Sequence, residues 1–137
     1  MYNRDGTRAL SSSTDDTAIL WDVISGDIIQ TFAGHTKSVW DAVFTADESQ
    51  ILTGSSDARM ILWDVATGEP IREFSGIHSN GIHTVYITHD NRYALSGSGD
   101  SKIGVWDVET GEVIREFTRH QDSIRYITMN QDETLVV

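Results

Sequence analysis

Three residue types that could assemble a nucleophilic triad return together along this chain. A hydroxyl (Ser11, Thr53, Ser96), an aspartate four residues later (Asp15, Asp57, Asp100) and a histidine (His35, His78, His120) each recur at steps of 42 or 43 residues. A hydroxyl nucleophile, an imidazole base and an orienting carboxylate are the parts that acyl transfer needs. Recurrence argues against that use, because an enzyme does not need one triad per repeat, and Thr53 is an unusual nucleophile. The same side chains also suit a structural network. A buried imidazole or indole nitrogen requires a partner, and a hydroxyl can bridge it to a carboxylate. Metal ligation has little support: His78 and His83 stand five apart, and there is no H-E-x-x-H, EF-hand loop or Gly-rich phosphate loop. The stretch GSGDSK at 97–102 is the repeat's own turn. No catalytic residue, cofactor or metal site is expected.

The elements that would hold these residues follow from the repeat. Trp21-Asp22, Trp63-Asp64 and Trp106-Asp107 are spaced by 42 and 43 residues, a period typical of stacked supersecondary units. A glycine follows each Trp by five residues (Gly26, Gly68, Gly111) and a phenylalanine by eleven (Phe32, Phe74, Phe117). A second register mark is Asp5, Asp47, Asp90 and Asp132. Each period reads as four short strands. The first is SVWDAVF, GIHTVYI or SIRYITM, whose apolar spacing of three and then two predicts a β-bulge near Trp40, His83 and Arg125. The second is RALSSS, QILTGS or YALSGS. The third (AILWDV, MILWDV, IGVWDV) is apolar on both faces, as in an inner strand. The fourth (DIIQTF, PIREF, EVIREF) alternates with one polar face.

Four strands every 42 residues with these marks resemble the WD40 repeat family over essentially the whole chain. The resemblance implies an all-β fold of β-propeller blades, each of four antiparallel strands, around a central channel. Here the ring is incomplete, with about three blades in one chain. One region, residues 1–137, divides into a partial blade 7–32, blades 36–75 and 79–118, and a partial blade 120–137. The resemblance also assigns the recurring polar residues to structural tetrads, Asp57-His35-Thr53-Trp63 and Asp100-His78-Ser96-Trp106, with Ser11, Asp15 and Trp21 at the matching positions of the first copy. The sequence departs from the family's Gly-His pair in two places: Ile77 precedes His78, and Arg119 precedes His120. No Trp follows His120 to close a tetrad within the chain.

Residues that do not recur on a repeated frame are the better functional candidates. The resemblance places the bulge residues Trp40, His83 and Arg125 on the face around the channel, where partners are often contacted. It adds the residue two before each (Ser38, Gly81, Ser123) and the one before the turn aspartate (Thr14, Ser56, Gly99). Trp and Arg are enriched in binding hot spots. Trp40 also suits packing between blades, and Arg125 could pair with Asp122. The expected function is a non-catalytic protein–protein interaction scaffold with a protein or peptide partner. The alternatives are a regulatory or sensor array of a larger signalling protein and, less favoured, an enzyme with its site in the channel, for which His83 alone stands out.

The formal charge of −11 should repel nucleic acid and anionic lipid. No run of 18 apolar residues suggests a membrane span, and MYNRDGTRAL lacks the apolar core of a signal peptide. The absence of cysteine excludes disulfides and suits a cytoplasmic home. Three repeats are too few for a closed ring, which typically has about four to eight blades. Completion is expected either from the remainder of a longer chain or from head-to-tail pairing, in which two chains give six blades.

Overall fold

Turn chemistry sets the strand boundaries. The computed structural model describes residues 1–130 and 132–133. After each Trp, the aspartate side chain accepts backbone N–H bonds from the turn that follows: Asp22 from Ser25, Asp64 from Thr67 and Asp107 from Thr110, each at 2.8 Å. Gly26, Gly68 and Gly111 close those turns at φ of 77, 74 and 77°, a region costly for a residue with a Cβ. Between the turns lie strands and, among the described residues, no helix.

The first sheet holds β1 (Arg8–Ser12), β2 (Thr17–Asp22) and β3 (Ile28–Ala33). The second holds β4 (Val39–Phe44), β5 (Gln50–Ser55), β6 (Met60–Asp64) and β7 (Pro70–Phe74). The third holds β8 (Ile82–Ile87), β9 (Tyr93–Ser98), β10 (Ile103–Asp107) and β11 (Val113–Phe117). Every sheet is antiparallel with its strands in sequence order. Successive sheets pack face to face. One core joins Leu20, Phe32, Val39 and Trp63, and the next joins Leu52, Phe74, Ile82 and Trp106.

The bulges expected in the first strands are present at Trp40 and His83, where the ladder skips one residue. The third expectation is corrected. Arg125 lies in no strand, and residues 123–130 form none, although Ile124 N donates to Ser98 O at 2.9 Å and Ile124 is buried. A strand needs its ladder partner, and the matching second-strand segment, 134–137, lies outside the described residues. The N-terminal unit also differs slightly from expectation. Tyr2 pairs with Ala9, as Phe44 pairs with Ile51, so Met1–Asn3 form the last stub of a first strand.

A second set of bulges was not anticipated. The ladder between third and fourth strands slips beside each Trp, leaving Ile29, Ile71 and Ile114 unopposed and partly exposed on the outer strands. Such bulges blunt an otherwise open edge.

Phenylalanine and tryptophan hold neighbouring blades together. Phe32 meets Trp63 with ring centroids 5.9 Å apart, and Phe74 meets Trp106 at 6.0 Å. Beside these rings the two complete blades have exchanged sizes. A Cβ on Gly34 would lie 2.8 Å from the Trp63 ring, and the third-strand residue there is Ile61. In the next blade the bulk precedes the histidine, as Ile77, and the third-strand position is Gly104, where a Cβ would lie 2.5 Å from Ile77 Cδ1. The break in the Gly-His pair is thus compensated on the facing strand.

Candidate functional site

Strands β5 and β6 set Thr53 beside Trp63, while the loop before β4 carries His35 across them. Trp63 Nε1 donates to Thr53 Oγ1 at 2.9 Å. His35 Nε2 lies 2.7 Å from the same oxygen, and His35 Nδ1 lies 2.9 Å from Asp57 Oδ2. An ionised carboxylate only accepts, so the imidazole proton sits on Nδ1 and the Thr53 hydroxyl donates to Nε2. Asp57 also accepts from Thr36 N (3.1 Å), Arg59 N (3.0 Å) and Arg59 Nη2 (2.9 Å). Burial alone would raise the Asp57 pKa, but the donors at Thr36, His35 and Arg59 hold it down to about 2. Burial lowers His35, more than Asp57 restores it, which favours the neutral ring.

The next blade repeats the arrangement with serine. Trp106 Nε1 donates to Ser96 Oγ at 2.9 Å, His78 Nε2 is 2.6 Å from that oxygen, and His78 Nδ1 is 3.1 Å from Asp100 Oδ2. Burial likewise lowers His78, while the amides of Ser79 and Lys102 hold Asp100 down against its own burial. Both hydroxyls are 0% exposed. A nucleophile must reach a substrate, and these oxygens are sealed between a Trp and a His.

The first copy is a remnant. Trp21 Nε1 still donates to Ser11 Oγ at 2.9 Å, but no histidine loop crosses them and Ser11 is exposed. Asp15 does not join; its Oδ1 accepts from Thr17 N and Oγ1 within its own turn. His120 is exposed and forms no tetrad among the described residues.

The candidate binding residues converge on one end of the strands. Trp40, His83, Ser123 and Arg125 line a cavity of about 360 Å³. The Trp40 and His83 rings lie 5.9 Å apart at 38°, so the second blade's bulge rests on the third's. Trp40 is nevertheless 48% exposed, and its Nε1 is tied to Ser56 Oγ. Ser38 lies beneath, its carbonyl accepting Ser56 N at 2.9 Å. Where blade two has Ser56, blade three has Gly99, and a Cβ there would lie 3.0 Å from His83 Nε2. The expected Arg125–Asp122 pair is not formed: Asp122 Oδ1 instead takes Ser123 N at 2.6 Å. Among the described residues Arg125 has no ion-pair partner.

The model of the family described as "WD domain, G-beta repeat" matches residues 26–64 and 68–107. The chain belongs to the WD-repeat family. The crystal structure of the WD40 beta propeller domain of Doa1 is similar to it, with TM-score 0.75 and 32% identity over 85% of this chain. This chain spans 38% of that one, so the WD-repeat blades seen here correspond to part of a propeller. No match is found among curated protein sequences. WD40 propellers are commonly interaction scaffolds that bind protein partners, and such domains are generally non-catalytic.

Several residues that shape this WD-repeat frame were not singled out by sequence. Asp41, beside Trp40, reaches the next blade, where its Oδ2 accepts Val85 N at 2.9 Å. At the far end of the strands the first turn of each blade clasps the turn before it. Glu48 Oε1 accepts Arg4 N at 2.7 Å, Asn91 Oδ1 receives Ala46 N at 3.5 Å, and Glu133 Oε2 accepts His89 N at 2.7 Å. All three clasping residues have positive φ (60, 58 and 46°). Their shared phase was the available signal, but their mixed identities concealed it. A larger cavity of about 670 Å³ at that end is lined by Tyr86, His89, Asp90 and Glu133. Of its carboxylates Asp90, Asp132 and Glu133, Asp90 and Glu133 are engaged by Thr88, Arg92, His89 and Tyr86.

The strands also separate charge. Turns at 1–7, 22–27, 45–49, 64–69, 88–92 and 107–112, with 130 and 132–133, all lie at the clasped end. They hold thirteen of the 21 acids against two arginines, Arg4 and Arg92. The connections at 13–16, 34–38, 56–59, 75–81, 99–102 and 118–123, at the Trp40 end, hold five acids against four lysines and arginines, with Arg125 just beyond.

Proposed function

We propose that this chain is a non-catalytic interaction module that engages a protein or peptide partner through the Trp40–His83–Arg125 end of its blades. One observation carries the reading. Trp40 is the large aromatic side chain that remains half exposed with its indole nitrogen pinned, beside a cavity also lined by Arg125, which is unpaired among the described residues. Rigid aromatic and arginine side chains at a concave site are what hot spots are made of. Ser56 and Ser38 position the indole, and Ser123 lines the cavity. Trp40→Ala in the full chain should abolish partner capture and leave thermal unfolding nearly unchanged. Unfolding of that variant would instead assign Trp40 to packing.

The incomplete units favour further blades. Ser11 and Trp21 lack a histidine, and His120 lacks a hydroxyl and an indole, so the two half-tetrads are complementary. A second copy joined head to tail, or the remainder of a longer chain acting as a regulatory array, would supply them. Light scattering separates these sources: a discrete dimer near twice 15.3 kDa supports the first, and a monomer supports the second. A cytoplasmic setting accompanies the reading, since the chain has no cysteine.

A further inference from the structure

Resting on that reading of the Trp40 end, we propose that the cavity between Trp40 and Arg125 takes an acidic side chain of the partner, an Asp or Glu carboxylate flanked by an aliphatic residue. The cavity supplies one permanent cation, one hydroxyl, one imidazole and an aromatic plate, and no acid lines it. Arg125 is exposed and unpaired among the described residues, so its planar fork is available for a carboxylate. The two acids nearest in sequence do not compete. Asp122 holds Ser123 N, and Asp41 holds Ala42 N and Val85 N. The Trp40 indole nitrogen is already spent on Ser56, so the ring offers apolar surface and suits an aliphatic neighbour of the carboxylate.

Net charge does not forbid an acidic ligand here, because the acid surplus lies at the other end of the strands. Strands of five or six residues separate the ends by about 17–20 Å. That is roughly twice the ~8 Å screening length at physiological ionic strength. A single permanent cation matches one carboxylate and would leave part of a phosphate dianion uncompensated.

The test uses the full chain and four blocked peptides, Gly-Ser-Leu-Xaa-Leu-Ser-Gly, with Glu, Gln, Lys or phosphoserine at Xaa. Binding is read by NMR from the Trp40 indole N–H signal and from the backbone amide signals of His83 and Arg125, the amides alone serving for Trp40→Ala. The Glu peptide should bind about tenfold tighter than the Gln or Lys peptide, the margin of a charge-assisted over a neutral hydrogen bond. That margin should shrink as salt is raised. Arg125→Gln should erase the Glu-over-Gln preference, and Arg125→Glu should turn it towards Lys. Equal binding of Glu and Gln, tighter binding of phosphoserine than Glu, or no shift with saturating Glu peptide would overturn the proposal. The two readings fail separately. Loss of all binding in Trp40→Ala without any Glu preference keeps the interaction face and rejects the carboxylate. Unchanged binding in Trp40→Ala rejects the face itself.

Discussion

The closed tetrads of the two complete blades and the open remnant at Ser11 share their first bond. In all three a Trp indole donates to a hydroxyl at 2.9 Å. What differs is the histidine. Where His35 or His78 crosses the blade, the hydroxyl is sealed, the aspartate is drawn to the ring, and the Trp is 1% exposed. Where no histidine crosses, Ser11 faces solvent and Asp15 turns to its own loop. The indole–hydroxyl bond is therefore local to the second and third strands. The histidine and aspartate tie the connection between blades to the sheet that follows.

The sharpest way to break this contrast is Asp57→Ala. It leaves Thr36 N, Arg59 and His35 Nδ1 without their acceptor and should cost about 3 kcal/mol in urea unfolding, the upper part of the range for a stranded buried partner. Asp15→Ala should cost well under half of that. Equal losses would mean that the tetrad adds nothing to an ordinary turn aspartate.

The size exchange offers the next test. Gly104→Val drives a side chain into Ile77 and against Trp106 Nε1 and Ser96 Oγ, and should destabilise by about 1–3 kcal/mol. Adding Ile77→Gly should recover a substantial part of the loss. Strict additivity of the two changes would show that the positions do not share space.

Acid should act in two stages. His35 and His78 have folded pKa values below 6.5, so the folded state binds fewer protons than the unfolded chain just under that pH. Their contribution is complete above 6.5 and falls away as pH drops below it. Asp57 is lowered from 3.8 to about 2, so its contribution is present above 3.8 and is lost between those values. Urea midpoints that stay flat from pH 7 to about pH 5 would remove the neutral histidines from the account. The smallest effect belongs to Ser11→Ala. With its hydroxyl exposed, the loss should be about 0.5 kcal/mol or less, measured by the same unfolding curves.

Sequence spacing alone exposed much of this. The Trp-Asp ruler located the second, third and fourth strands, and the one-residue skip located the bulges at Trp40 and His83; the tetrads needed the family resemblance as well, because the hydroxyl–aspartate–histidine phase alone also suited a nucleophilic triad. Other features were hidden for physical reasons. The outer bulges at Ile29, Ile71 and Ile114 each follow another apolar residue (Ile28, Pro70, Val113), so the phase can be counted from either one and periodicity does not reveal the slipped ladder. The clasps at Glu48, Asn91 and Glu133 depend on backbone N–H groups of the neighbouring blade, which leave no mark on residue type. Arg125 follows the first-strand pattern yet is in no strand among the described residues, and its expected ladder partner, 134–137, lies outside them.

The exchanged glycine and isoleucine bear on how a tandem array avoids confusing its own copies. Identical repeats can dock on one another's neighbours during folding. Ile77 Cδ1 fills the space that a Cβ on Gly104 would need, whereas the Gly34 loop lies against the Trp63 ring in a blade whose matching third-strand residue is Ile61, so the two loops differ in the volume they bring to their sheets. Each histidine loop therefore carries a steric address for its own sheet, and blade order is encoded in volume as well as in connectivity.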